Sequence, residues 1–123
     1  MRYLTDRKRA VGMGSAKTGT DHFWRVKVQS FALLILIPLF IFTFGPMLGE
    51  THAVVVAYFA QPFPAIVAAL TIAVTMMHFK DGVQVLIEDY VHGTAQKVAI
   101  LAMICLSYAA AATGLFAIAR IAL

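Results

Sequence analysis

The sequence predicts an all-α integral membrane protein of three transmembrane helices with its N-terminus in the cytoplasm. Three observations predict it. Hydrophobic residues make up 61% of the 123 residues and charged ones only 13%, against about a quarter charged in ordinary soluble domains. Residues 28–49, 51–79 and 98–119 contain no Lys, Arg, Asp or Glu, and each stretch reaches the length of about 20 residues that a helix needs to cross hydrocarbon. The basic residues gather at one end of the chain, which sets the direction of crossing.

The first 27 residues hold Arg2, Arg7, Lys8, Arg9, Lys17, Arg25 and Lys27, and form a cytoplasmic segment before a first helix over about residues 28–48. Lys80 and Lys97 lie towards the second connection, whereas the first connection, residues 49–63, has no Lys or Arg and only Arg120 marks the far end. The positive-inside rule then places the N-terminus and the second connection in the cytoplasm. The net charge of +4 thus answers to topology and to anionic headgroups of membrane lipid, and no nucleic-acid partner is called for.

The second apolar stretch is longer than a span requires, but Pro62 and Pro64 divide it. Proline is best accommodated in the first turn of a helix. A second helix over about residues 64–89 follows. The third, about residues 97–120, is rich in small residues. Ala110 and Gly114 stand four apart beside Ser107 and Ala111, a pattern that lets helix backbones approach closely. No repeat is visible, so the chain reads as one membrane-anchor domain that needs a partner for a bundle.

Several chemistries are excluded. A signal peptide has a short basic region and an apolar stretch of roughly 7 to 15 residues, whereas here the apolar run spans the bilayer. The segment from Gly12 to Thr18 is similar to a phosphate loop, but Ala16 stands where that motif needs glycine before Lys17, and no strand precedes it. Cys105 is the single cysteine, so the chain builds neither a disulfide nor a four-cysteine iron-sulfur cluster.

Titratable residues inside a membrane helix are costly and point to function. The second helix carries His78, Lys80, Asp81, Glu88, Asp89 and Tyr90. At about 100° per residue, the eleven steps from His78 to Asp89 return to within about 20° of one face, with a rise of about 16 Å. His78, Gly82, Val85 and Asp89 therefore share a stripe. Lys80 points away and is expected to snorkel towards the interface.

His78 lies well inside the hydrocarbon and needs a partner. A neutral imidazole is a common axial ligand of haem iron, and Gly82 leaves room for a flat macrocycle or a close helix; a hydrogen bond to a neighbouring helix is the plainer alternative. The Glu88-Asp89-Tyr90 triplet sits where the helix leaves the membrane. Carboxylates there oppose the helix dipole, so helix stability does not explain them. A quinone site, which needs a hydroxyl donor and a proton-conducting carboxylate, would explain them; so would an interfacial belt tyrosine beside a solvated charge.

At these residues the chain resembles the hydrophobic membrane anchor subunits of succinate dehydrogenase, of the alphaproteobacterial type. The likeness rests on His78-x-x-x-Gly82, on the pair Asp89-Tyr90, and on Gly14-Ser15-Ala16-Lys17, Gly19-Thr20 and His22-Phe23-Trp24 before the first helix. It covers nearly the whole chain.

The resemblance implies that His78 is one axial ligand of a b-type haem shared with the other anchor chain, the cytochrome b subunit, which gives the second. It also implies that Tyr90 hydrogen-bonds ubiquinone, and that Asp89 pairs with an arginine of the cytochrome b subunit beside that site. Lys27 stands where the family more often has Arg near the haem propionates; as a point charge it lacks the bidentate fork. His22, Asp81 and Gly82 fall in the same haem vicinity. Asp81 has the options of orienting the imidazole or pairing with a neighbouring helix, and His22 is equally open to an interfacial role without haem contact.

On this reading the chain has no dehydrogenase chemistry of its own. It would anchor the flavoprotein and iron-sulfur subunits to the membrane, and the two anchor chains would form one bundle around the haem, in a multi-pass arrangement. The absence of a cleavable presequence favours the bacterial inner membrane over the mitochondrial one. Two other classes fit the composition: a non-catalytic adaptor or assembly protein, and a small proton-coupled transporter protomer using Lys80, Asp81 and Asp89. Neither explains the joint His-Gly-Asp-Tyr spacing.

Overall fold

The computed structural model describes residues 4–12, 14 and 19–123. Arg2 and the Ser15-Ala16-Lys17 part of the N-terminal pattern lie outside these. Five α-helices follow in order: α1 (Asp6–Val11), α2 (Asp21–Phe44), α3 (His52–Phe59), α4 (Pro62–Tyr90) and α5 (Gly93–Ala122), with one turn of 3-10 helix (Gly45–Met47) after α2. Helices α2, α4 and α5 are long and apolar enough to span a membrane. No strand occurs among the described residues.

Local chemistry sets the ends. Thr5 caps α1, its hydroxyl accepting from the Lys8 N–H at 3.3 Å. Helix α2 begins at Asp21, seven residues before the first apolar stretch, because the basic and aromatic run up to Lys27 contains no helix breaker. Pro46 sits in the 3-10 turn that ends this span, and Gly49, at φ +88°, reverses the chain. Helix α4 starts at Pro62, two residues before the expected Pro64, so both prolines occupy its first turn, where a missing N–H costs nothing.

The short helix α3 is absent from the sequence expectation, which has a plain connection there. Its eight residues rise only about 12 Å, too little to cross hydrocarbon. It folds back instead and packs on α4 and α5. Phe59 anchors it: the ring is buried and lies 6.3 Å from that of Phe44, which stacks on Phe40 at 5.3 Å.

Helix α4 is the middle of the molecule and packs against both α2 and α5. Small residues make the α4–α5 seam close: Ala65 and Ala68 are buried, and a Cβ on Gly114 would lie 3.0 Å from Ile72 Cγ2. Of the small residues of the third span, Ser107 and Gly114 are thus used within the chain, while Ala110 stays exposed. Ser107 is buried at the same seam and donates to the Met103 carbonyl at 2.8 Å, so its hydroxyl does not face hydrocarbon unpaired. Large apolar side chains such as Leu34, Ile35, Phe42, Leu101 and Phe116 stay exposed on the outside, as suits a surface solvated by lipid and by other helices.

Candidate functional site

The stripe expected on the second span is real geometry. His78 is half-buried, while Gly82, Val85 and Asp89 along the same face of α4 are exposed. The face is therefore turned away from the chain's own core. A Cβ on Gly82 would meet nothing within 4 Å, which leaves space for a group supplied from outside.

His78 lines a groove of about 470 Å³ whose opposite wall is α2: Ser30, Leu33, Leu34, Ile37 and Pro38. Pro38 has no N–H, so the Leu34 carbonyl lacks its usual helical donor on that wall. The Nδ1 atom of His78 is buried without a hydrogen-bond partner among the described residues. A buried orphan nitrogen is uncommon and suggests that part of the site's chemistry lies outside this chain. Among the described residues no three His, Cys, Asp or Glu side chains cluster as a metal site, so any metal held at His78 needs another ligand from elsewhere.

Lys27 lines a second groove of about 460 Å³ with Phe23, Val26, Ser30, Phe31 and Leu34. Ser30 and Leu34 belong to both grooves. They join the Lys27 ammonium to the His78 ring along one side of α2. The ammonium rests 5.3 Å from the Phe23 ring centroid, a cation–π contact that holds it over the groove. His22 lies elsewhere: it lines an open groove with Asp21, Trp24 and Arg25, its Nε2 buried and without a partner among the described residues.

One expectation is corrected. Lys80 does not snorkel: its ammonium pairs with the Asp81 carboxylate, and its side chain is 14% exposed. The reason is depth. Lys80 stands ten residues before the end of α4, about 15 Å along the axis, beyond the reach of a lysine stem. Asp81 takes the second of its two options and pairs with a neighbouring helix. It is 1% exposed, accepts from Gln29 Nε2 at 2.9 Å on one oxygen and binds Lys80 on the other.

At the far end the acidic triplet divides. Glu88 is engaged by its own helix pair: Gln84 Nε2 donates to its Oε1 at 2.8 Å, and Gln96 Nε2 from α5 donates to its backbone carbonyl at 3.2 Å. Asp89 and Tyr90 are left facing outwards, Tyr90 with 80% of its surface exposed. Sequence reasoning missed Gln29. Its signal was a lone amide at the start of the first apolar stretch, with nothing to say which helix it would meet.

Comparison with known proteins agrees with this layout. Residues 1–116 match the family described as succinate dehydrogenase/fumarate reductase transmembrane subunit. The chain is 41% identical over 123 residues to the succinate dehydrogenase hydrophobic membrane anchor subunit of Paracoccus denitrificans, covering 100% of this chain and 95% of that one. The protein of the same description from Rickettsia conorii is 27% identical over 84 residues, 68% of this chain and 67% of its own. No solved structure matches the chain. With a family match over nearly its whole length and three membrane-spanning helices to fit it, the chain belongs to the succinate dehydrogenase/fumarate reductase transmembrane subunit family.

Proposed function

We propose that this anchor subunit supplies one axial ligand to a b-type haem shared with a second anchor chain, the cytochrome b subunit, and forms part of a ubiquinone reduction site. The observation that carries the proposal is the outward stripe of α4, with a half-buried histidine at one end and an exposed Asp-Tyr pair at the other. Such a face makes sense for a surface completed by another chain.

The residues present fit a haem. His78 borders a groove with an open glycine one turn away, and with Nδ1 the buried nitrogen, Nε2 is the one left to bind iron. Lys27, in the adjoining groove, is placed to offset a propionate charge. When bound, the haem supplies a one-electron redox centre within the membrane.

At the quinone end, full reduction takes up two electrons and two protons. Tyr90 donates its hydroxyl to a quinone carbonyl. Asp89 holds an arginine of the cytochrome b subunit in place and passes protons from the cytoplasmic surface, where its carboxylate meets water. Electrons arrive from the iron-sulfur subunit, after succinate is oxidised in the flavoprotein subunit, and this chain tethers both to the bacterial inner membrane.

The test is an optical spectrum of the purified complex beside an inventory of its chains. A low-spin b-type haem with three partner subunits is the expected result. An assembled complex without haem would remove the ligand role of His78 and leave the chain a tether with the quinone residues alone.

A further inference from the structure

Asp81 is the one charged side chain buried to 1% among the described residues, and neither the haem nor the quinone role uses it. A carboxylate so deep in a membrane helix is costly and persists only when paired. Lys80 supplies the counter-charge from the next position on the same helix. Gln29 is different: it comes from α2, so its bond to Asp81 is the polar contact that crosses between the two helices.

That crossing point matters because the following stretch of α2 carries no polar side chain. Residues 31–38 read Phe-Ala-Leu-Leu-Ile-Leu-Ile-Pro, and aliphatic surfaces in lipid slide past one another at little cost, whereas a buried polar pair fixes one register. The helices follow each other in antiparallel sense. With Gln29 opposite Asp81, the next turn of α2, at Leu33, comes opposite the preceding turn of α4, at His78. Those are the residues that face each other across the groove.

We propose that Asp81 is a positioning residue: its hydrogen bond with Gln29 sets the register of α2 on α4 and so fixes the α2 wall of the groove at His78. Lys80 makes the carboxylate tolerable in hydrocarbon. The link to the haem rests on the reading of His78 given above; the register itself does not.

The assembled complex tests this with nitroxide labels at Ile41→Cys and Ile66→Cys, both exposed on the far halves of α2 and α4, in a Cys105→Ser background. The parent complex should give one narrow distance by pulsed electron resonance. Gln29→Met keeps length and removes the donor, and should add a population displaced by up to roughly 5 Å, one helical turn. Asp81→Asn keeps an acceptor for Gln29 and should preserve the narrow distance. In Gln29→Met the highest g value of the haem should move as well, although Gln29 ligates nothing.

An unchanged distance in Gln29→Met overturns the proposal, and so does an Asp81→Asn distance as disturbed as that of Gln29→Met. If Gln29→Met does not assemble, Gln29→Asn withdraws the donor by one carbon, and an unaltered distance there is equally decisive. Absence of haem from the parent complex would remove the His78 reading while leaving the distance result to stand.

Discussion

His78 and Asp81 lie one turn apart on α4 yet serve different neighbours: the Asp81 carboxylate accepts from Gln29 and pairs with Lys80, while the His78 Nδ1 atom is buried without a partner among the described residues. A carboxylate three residues along a helix is well spaced to steady an imidazole. Here it is committed elsewhere. The polar content of this span thus separates into an internal anchor and an outward site.

The internal anchor carries a direct consequence for Lys80. Lys80→Met strands Asp81 as a buried charge held only by Gln29, a change that typically costs about 3 to 5 kcal/mol. The double variant Lys80→Met/Asp81→Leu removes both charges and should recover much of that loss. Thermal unfolding of the assembled complex measures it. A double variant no more stable than Lys80→Met would mean that the pair is not the source of the effect.

The α4–α5 seam offers a second check. Gly114→Val puts new atoms where a single Cβ already comes within 3.0 Å of Ile72, and overpacking of this kind costs about 1 to 3 kcal/mol. Adding Ile72→Ala should restore part of it. Equal stability of Gly114→Val and the parent would show that α5 does not approach α4 so closely.

The charge pattern predicts the topology, and sided labelling tests it. With Cys105 replaced, a cysteine at residue 94 should react from the cytoplasm and one at residue 53 from the opposite side. Reversal of both would move the proposed quinone end of α4 to the wrong surface.

The three spans were legible because an apolar run of about 20 residues has few other fates, and the stripe from His78 to Asp89 was legible because helical periodicity alone defines it. Helix α3 was not. Its residues are apolar, with three consecutive valines, and nothing local distinguishes a short packed helix from a connection. The Gln29–Asp81 bond was not legible either. It joins residues 52 apart, and only the packing of α2 on α4 brings the amide to the carboxylate. Lys80 differs: its partner Asp81 is the next residue, and the snorkelling expectation fails because about 15 Å of helix separates Lys80 from the end of α4.

The quinone assignment predicts a separable defect. Tyr90→Phe keeps the ring and removes a hydrogen bond worth about 0.5 to 1.5 kcal/mol, so quinone reduction should slow roughly two- to tenfold. Asp89→Ala should impair it further. Succinate oxidation with an artificial acceptor that draws electrons upstream should continue at the parent rate. Untouched quinone reduction in both variants, with the complex intact, would return the two residues to an interfacial tyrosine and a solvated charge.

The most direct measurement of haem ligation by His78 is the low-spin haem spectrum of a purified His78→Tyr complex, optical and paramagnetic, beside the parent. Replacing an imidazole ligand by a phenol changes both the spin state and the donor strength at iron. Ligation by His78 predicts that the bis-histidine low-spin signal is lost or converted while the subunits remain together. An unchanged low-spin spectrum in the assembled His78→Tyr complex would contradict it.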